Sequence, residues 1–445
     1  MEQSSGEQAE QQVEETDMVK ACAVERPGQS ERPKQLEQTE HSERPTDGEI
    51  TKRVRELGLE LEERIISDRR YLHAHPELGF QEFETQKFIC NQLDELGIPY
   101  EKMAETGVVA TLAGQAPGAY DAKGNPAYRL ALRADIDALP VQELTGLSYA
   151  SQNGRMHACG HDCHIAMMLG AARILSQMRA CLRGEIRFIF EPAEEITQGA
   201  KRMISEGVLE GVDSIFGMHI WSEVEAGTVS CPPGQRMANT DWFRIDIEGA
   251  SCHGSMPHKG TDAIVILGEL ISELQVLVSR DVSPFEPAVV TIGEVHGGTA
   301  RNIVAGSAYL AGTVRTWSDK TRADLRYRME RLAKDTAEGF GAEAKVTWEE
   351  GHGGLSNDAK VARCAEAAVE ALFGREALSD YEGTLAGDDF SEYLLHVPGA
   401  YAFLGTHNIE LDACYPQHSC YYTVDESVLK NGAMLSAQYA LDTLR

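Results

Sequence analysis

Four apolar runs in this chain end abruptly, three in acidic residues or histidine and one in a loop that leads to histidine. That repetition limits the fold more than any single motif. Tyr128 to Leu132 runs into Arg133-Ala-Asp135-Ile-Asp137, and Gly184 to Phe190 delivers Glu191-Pro-Ala-Glu194-Glu195. Val212 to Met218 ends in His219, and Ala400 to Leu404 is followed by a loop to His418. Short apolar runs of this kind read as buried strands. Open α/β sheets carry their sites just beyond the carboxyl ends of such strands. The expected fold class is α/β, a mixed sheet flanked by helices with its chemistry gathered at one edge.

The densest stretch is Met156-His-Ala-Cys-Gly-His-Asp-Cys-His164, followed by a helix-like apolar run from Ile165 to Met178. Its imidazoles, thiols and carboxylate suit a divalent metal. Cys159 and His161 stand two apart, so in a loop before a helix both can point into one cavity. A Cys-x-His alone is as readily structural, so further ligands must come from elsewhere. Asp135 and Asp137 fit metal ligation, orientation of a ligand, or a turn with an Asx cap. Glu194 and Glu195 follow an apolar run and a proline. One can bind metal while its neighbour accepts a proton, as a hydrolytic metal site requires. His73 and His75, in His-Ala-His-Pro, read as ligands or as packing groups.

The 445 residues suffice for two domains and a large core. A net charge of −29 argues against nucleic acid and anionic membrane surfaces as partners. No stretch approaches the roughly 18 apolar residues of a membrane span. The amino terminus has no apolar segment of the secretory type, and ten cysteines spread over the chain do not resemble a small disulfide scaffold. A cytoplasmic location is expected. Residues 1–50 carry 13 Asp/Glu against 5 Lys/Arg with almost no aliphatic periodicity, so they read as a disordered acidic tail.

Residues 51–237 form the first part of a catalytic domain. Helical spacing is expected from Glu49 to Leu72 and from Glu82 to Leu96, the latter stopped by Gly97 and Pro99. Over 238–350 the pattern becomes βαββαβ, the order of a ferredoxin-like module, and reads as an inserted second domain. Its connections, Ser251 to His258 and His296 to Asn302, either close over a site or are plain turns. Residues 351–445 resume the α/β pattern, so the catalytic domain is discontinuous.

Together these motifs resemble the aminoacylase-like metal-dependent amidohydrolases, which include hippurate hydrolases, N-acyl-amino-acid amidohydrolases, plant auxin-conjugate hydrolases and N-acetyldiaminopimelate deacetylases. The resemblance runs through Leu132 to Pro140, His157 to Asp162, Glu191 to Glu195, Gly217 to His219, His253 to His258, Gly297 to Asn302 and His418-Ser419, in the family's order. It covers about residues 52–445.

The resemblance implies two divalent ions on Cys159, His161, Glu195, His219 and His418. Zn²⁺ or Mn²⁺ is favoured, with Co²⁺ or Ni²⁺ also used in the family. It implies Glu194 as general base, His253 polarising the scissile carbonyl, Asn302 holding substrate and Asp137 behind the ligands. Arg301 joins Asn302 as a candidate for the substrate carboxylate. The implied partners are a small N-acyl amino acid and a second copy of the chain, docked through the inserted domain. Departures are Glu191 for the usual Gln, Cys163 for a small residue, Asp388 for Glu, and Cys420 and Ala305 for Pro. They bear on the substrate and leave the ligands and the base in place. The rival readings are a dipeptidase or carboxypeptidase, a catalytically silent metabolite-binding member, and a thiol-based redox or metal-storage protein.

Overall fold

A computed structural model describes residues 45–445, so the expected acidic tail lies outside the described residues except at its end. The chain divides into two compact units. One takes the residues up to 234 with 357–381 and 393–445, and the other takes 235–356 with 382–392. The helices α1 (Asp47–Glu60), α2 (Glu62–Ala74) and α3 (Phe83–Leu96) precede β1 (Tyr100–Met103), β2 (Gly107–Ala113) and β3 (Arg129–Asp135). Then come α4 (His161–Gln177), β4 (Glu185–Glu191), α5 (Gly199–Ser205), β5 (Ser214–Glu225) and β6 (Val229–Ser230). The second unit contributes β7 (Asn239–Glu248), α6 (Ala263–Val276), β8 (Ala288–Gly297), β9 (Ser307–Thr316), α7 (Asp319–Gly339) and β10 (Glu343–Glu350). The first unit resumes with α8 (Ala359–Phe373), β11 (Gly399–His407) and α9 (Leu429–Thr443).

In the first unit seven strands form one mixed sheet in the order β1-β2-β4-β3-β5-β11-β6. The four middle strands are parallel, and antiparallel strands close both edges. Among the middle strands β3 comes first in the chain, and β4 and β5 are added on its opposite sides. The strand order therefore reverses at the carboxyl end of β3, where α/β sheets leave a crevice. Register sets the level of the groups there, since Asp135 on β3 lies opposite Glu191 on β4.

Helix α4 is buried along nearly its whole length, which its apolar sequence allows. Gly170 permits close packing, since a Cβ there would come 2.9 Å from Ala433 Cβ on α9 and from Ile65 Cδ1 on α2. The amino-terminal helix differs from the expected single element. Thr46 and Glu49 form a capping box that starts α1 at Asp47, and the backbone turns at Leu61 before α2 begins. That turn lets Val54 and Leu57 on α1 and Ile65 and Leu72 on α2 all reach the core. Gly97, left-handed at φ 61°, ends α3 as expected.

The longer elements of the second unit run βαββαβ, and its four longer strands form an antiparallel sheet, β8-β9-β7-β10. Its own core joins Phe243, Ile245 and Ile247 of β7 to Leu270 and Leu274 of α6 and to Leu325 and Met329 of α7. Residues 382–392 cluster with this unit because Thr384 and Ala386 hydrogen-bond to Arg236 and Ala238. Among the described residues no helix is long and apolar enough to cross a membrane.

Candidate metal centre

Gly160 is left-handed at φ 94°, and a Cβ there would lie 2.4 Å from Ile220 Cδ1. Only glycine fits between Cys159, in the loop, and His161, the first residue of α4. His161 Nδ1 pairs with Asp137 Oδ1 at 3.2 Å, which directs Nε2 into the crevice. His219 Nδ1 bonds to the Ile220 carbonyl, and its Nε2 lies 3.4 Å from Cys159 Sγ. His418 is left-handed at φ 66° and donates its backbone N–H to the Ala158 carbonyl at 2.8 Å. Its Nε2 stands 3.5 Å from Glu195 Oε1, and its ring is 54 % exposed. The Glu194–Glu195 turn is pinned from below, with Glu194 N–H donating to Asp137 Oδ1 at 3.2 Å and Glu195 N–H to Asp137 Oδ2 at 3.1 Å.

Cys159, His161 and His219 offer one ligand atom each within 4.8 Å of one another, as do Cys159, Glu195 and His418, and His161, Glu194 and Glu195. Overlapping groups of this kind fit two neighbouring cations. Among the described residues, His161 Nε2 and Glu195 Oε1 are buried without a hydrogen-bond partner. Buried polar atoms are costly when unpaired, so both atoms fit a ligand. The electrostatics agree. Burial pulls the His161 imidazole down, but Asp135, Asp137 and Glu195 push it up to about 10. Burial and then Glu195, Glu194 and Asp135 push the Cys159 thiol well above its ordinary range. The carboxylates thus hold protons on two groups, and a divalent ion would displace those protons. The sulfur, nitrogen and oxygen donors suit Zn²⁺ and its neighbours.

The sequence-predicted residues Cys159, His161, Glu194, Glu195, His219, His418 and Asp137 meet in this one crevice. His219 departs from expectation in one respect. It lies inside β5, not at its end, because β11 keeps pairing with β5 past it, to Gly405 opposite Trp221. His73 is no ligand, since it is buried between Asp162 Oδ2 at 2.8 Å and Glu143 Oε1 at 3.1 Å. His75 Nδ1 bonds to the Tyr71 carbonyl instead. Glu191, the unusual acid, pairs with buried Arg133 at 2.6 Å, a guanidinium that Asp135 also contacts at 2.5 Å. Cys163 is fully buried, which removes it as an accessible thiol.

Sequence reasoning missed His164 and Asp135 as a pair. His164 Nδ1 bonds to Asp135 Oδ1 at 2.5 Å, and its Nε2 accepts the Ile220 N–H at 2.9 Å. With both nitrogens used it braces β5 beside His219. The available signal was its spacing three residues after His161, which shares a helix face. His253, Arg301 and Asn302 belong to the second unit. There Ile303 pairs with His253 and Gly254 N–H donates to the Asn302 carbonyl at 2.8 Å, so the two loops lie together. Ser255 N–H and Oγ both approach His253 Nδ1, at 3.2 and 2.8 Å. A backbone N–H can only donate, so Nδ1 accepts and Nε2 is left to carry the proton. Arg301 is exposed.

Parallel strands with overlapping candidate ligand groups at their switch point fit a metal-dependent hydrolase. Residues 131–442 match the Peptidase family M20/M25/M40, and the chain belongs to that family of enzymes acting on amide bonds. It is 39 % identical over 383 residues to the N-acetyl-L-cysteine deacetylase of Bacillus subtilis, covering 86 % of this chain and 87 % of that one. It is 42 % identical over 302 residues to the N-acyl-L-amino acid amidohydrolase of Geobacillus stearothermophilus, covering 67 % and 79 %. Its fold matches the Bacillus subtilis YXEP protein, a dinuclear metal binding peptidase from the M20 family. The TM-score is 0.75 at 37 % identity, over 87 % of this chain and 99 % of that one.

Proposed function

We propose that this protein hydrolyses the amide bond of N-acyl amino acids or related small conjugates, using two divalent ions on Cys159, His161, Glu195, His219 and His418. The observation that carries the reading is the turn in which Glu195 joins the ligand groups while Glu194, its neighbour, stands in the same crevice with its amide held by Asp137. The relatives' names, a deacetylase and an N-acyl amino acid amidohydrolase, support the substrate class. Bound ions would supply Lewis acidity toward the amide oxygen and a water acidic enough to attack near neutral pH. Glu194 takes the proton of that water as its oxygen adds to the carbonyl carbon. The same carboxyl passes the proton to the amine nitrogen as the carbon–nitrogen bond breaks, releasing a carboxylic acid and an amino acid. Asp137 keeps the two glutamates in register and holds His161 by Nδ1. We assign His253 the role of donor to the carbonyl oxygen through Nε2, and Asn302 with Arg301 that of holding the substrate carboxylate.

The protein is taken to be cytoplasmic and to form a homodimer through the second unit. Its edge strand β8 leaves Glu294 to Gly297 exposed, an unpaired edge that a second copy can cover. Sedimentation at micromolar concentration is expected to give twice the chain mass, and a monomer would discard the dimer. The function is tested by product analysis on N-acetyl and N-benzoyl amino acids, indole-acyl conjugates, dipeptides and aminobenzoyl-glutamate. Release of free amino acid from the acyl amino acids supports the reading. Cleavage confined to dipeptides replaces it with a peptidase, and silence across the panel with metal bound replaces it with a binding protein.

A further inference from the structure

Glu82 stands at the N-cap position of α3 but does not cap that helix. Glu77 does so instead, accepting from Thr85 N–H at 2.8 Å and Glu84 N–H at 3.3 Å. The Glu82 side chain makes no bond to that helix end and is wholly buried. One carboxyl oxygen accepts the Ala193 N–H at 2.9 Å, and the other accepts the Thr106 hydroxyl at 2.6 Å. Ala193 is left-handed, at φ 57° and ψ 36°, a conformation that a residue with a Cβ adopts only when its surroundings impose it. It immediately precedes Glu194 and Glu195, whose own amides are taken by Asp137. Two buried carboxylates therefore hold three successive N–H groups, and nothing in the turn is glycine. Ala193 is also wedged from one side, since a Cβ on Gly79 would come 3.0 Å from its Cα.

We infer that Glu82 is a positioning residue for the Glu194–Glu195 turn, imposing through Ala193 the backbone conformation that aims both glutamates into the crevice. The inference rests on the metal reading proposed above for Glu195. Burying an acid at this place has a cost, since burial pushes the Glu82 carboxyl up to about 7. A side chain kept for packing alone would be apolar.

The test compares Glu82→Leu and Glu82→Gln in the full-length protein, by zinc affinity in competition with a chelator and by hydrogen exchange at Ala193 to Glu195. In Glu82→Leu, zinc is expected to bind one site about 10- to 100-fold more weakly, the usual effect of losing a group behind a metal ligand. The turn amides are expected to exchange faster. Glu82→Gln still offers an oxygen to Ala193 N–H and an amide N–H to Thr106, so it should stay within about threefold of the parent. Zinc affinity and exchange in Glu82→Leu equal to the parent's would overturn the inference, as would a Gln variant as impaired as the Leu variant. Should Glu82→Leu not fold, Thr106→Val decides, because it removes only the hydroxyl that steadies the carboxylate. About a three- to tenfold weaker zinc site then supports the role and an unchanged one overturns it. A parent that takes up no zinc would sink the metal reading, while the exchange comparison would still judge Glu82.

Discussion

Replacing Glu194 by Gln keeps the shape of the turn and its bonds to Asp137 but removes the proton acceptor. The expected outcome is a loss of about 10²- to 10⁴-fold in kcat, with KM and bound metal unchanged. Steady-state kinetics with metal analysis checks this, and a variant of near-normal rate would take the base role from Glu194. Gly160→Ala places a methyl against Ile220 in a left-handed backbone, so it is expected to cost about 1–3 kcal/mol and weaken metal binding together. Thermal melts with and without zinc would read both. At this scale the residues that meet in the crevice were legible as candidates because Cys, His and Glu stood out near the ends of apolar runs. The pairing of Asp135 with His164 and the contacts of Glu82 were not, because a buried polar group and a solvated one look alike until their remote partners, such as Ile220 and Ala193, are in view.

Elements were legible where caps punctuate them. Gly97 is such a local signal and its helix ends on it, whereas the Thr46–Glu49 box, which starts α1 at Asp47, went unread in the helix expected from Glu49. Strand lengths were not, since β5 runs past His219 only because β11 pairs beside it. That pairing is a tertiary fact, absent from the residues of β5 itself. One element carries a pH prediction. Burial pushes Asp442 on α9 up to about 6, against the help of Gln438. A carboxyl raised in the fold favours the protonated state, so its contribution is present below its unfolded pKa of about 3.9 and is lost as pH rises through about 6. Asp442→Asn is therefore expected to match the parent at pH 4 and exceed it at pH 8 by about 1 kcal/mol, allowing for solvent screening. Urea melts at the two pH values measure this, and an equal effect at both would contradict it.

For the molecule as a whole the site gathers buried carboxylates beside His161, whose imidazole they push up, and bound cations would offset their charge. Metal loading should therefore stabilise the first unit. At free zinc about 100 times its dissociation constant the gain is about 2.7 kcal/mol per independent site, read as a higher unfolding temperature that chelator reverses. The change of pattern read near Ala238 falls close to Gln235, where the second compact unit begins. The return of residues 382–392 to the second unit was not legible, because it depends on backbone bonds from Thr384 and Ala386 to Arg236 and Ala238. The central claim is that hydrolysis depends on ions held by this crevice. It is tested most directly by measuring amino acid release from an N-acetyl amino acid by metal-stripped protein as Zn²⁺, Mn²⁺ or Co²⁺ is titrated back. The account predicts negligible release from the stripped protein and a rise that levels off at two ions per chain. Undiminished release after stripping, or ions that bind in that number without restoring release from any acyl amino acid, would contradict it.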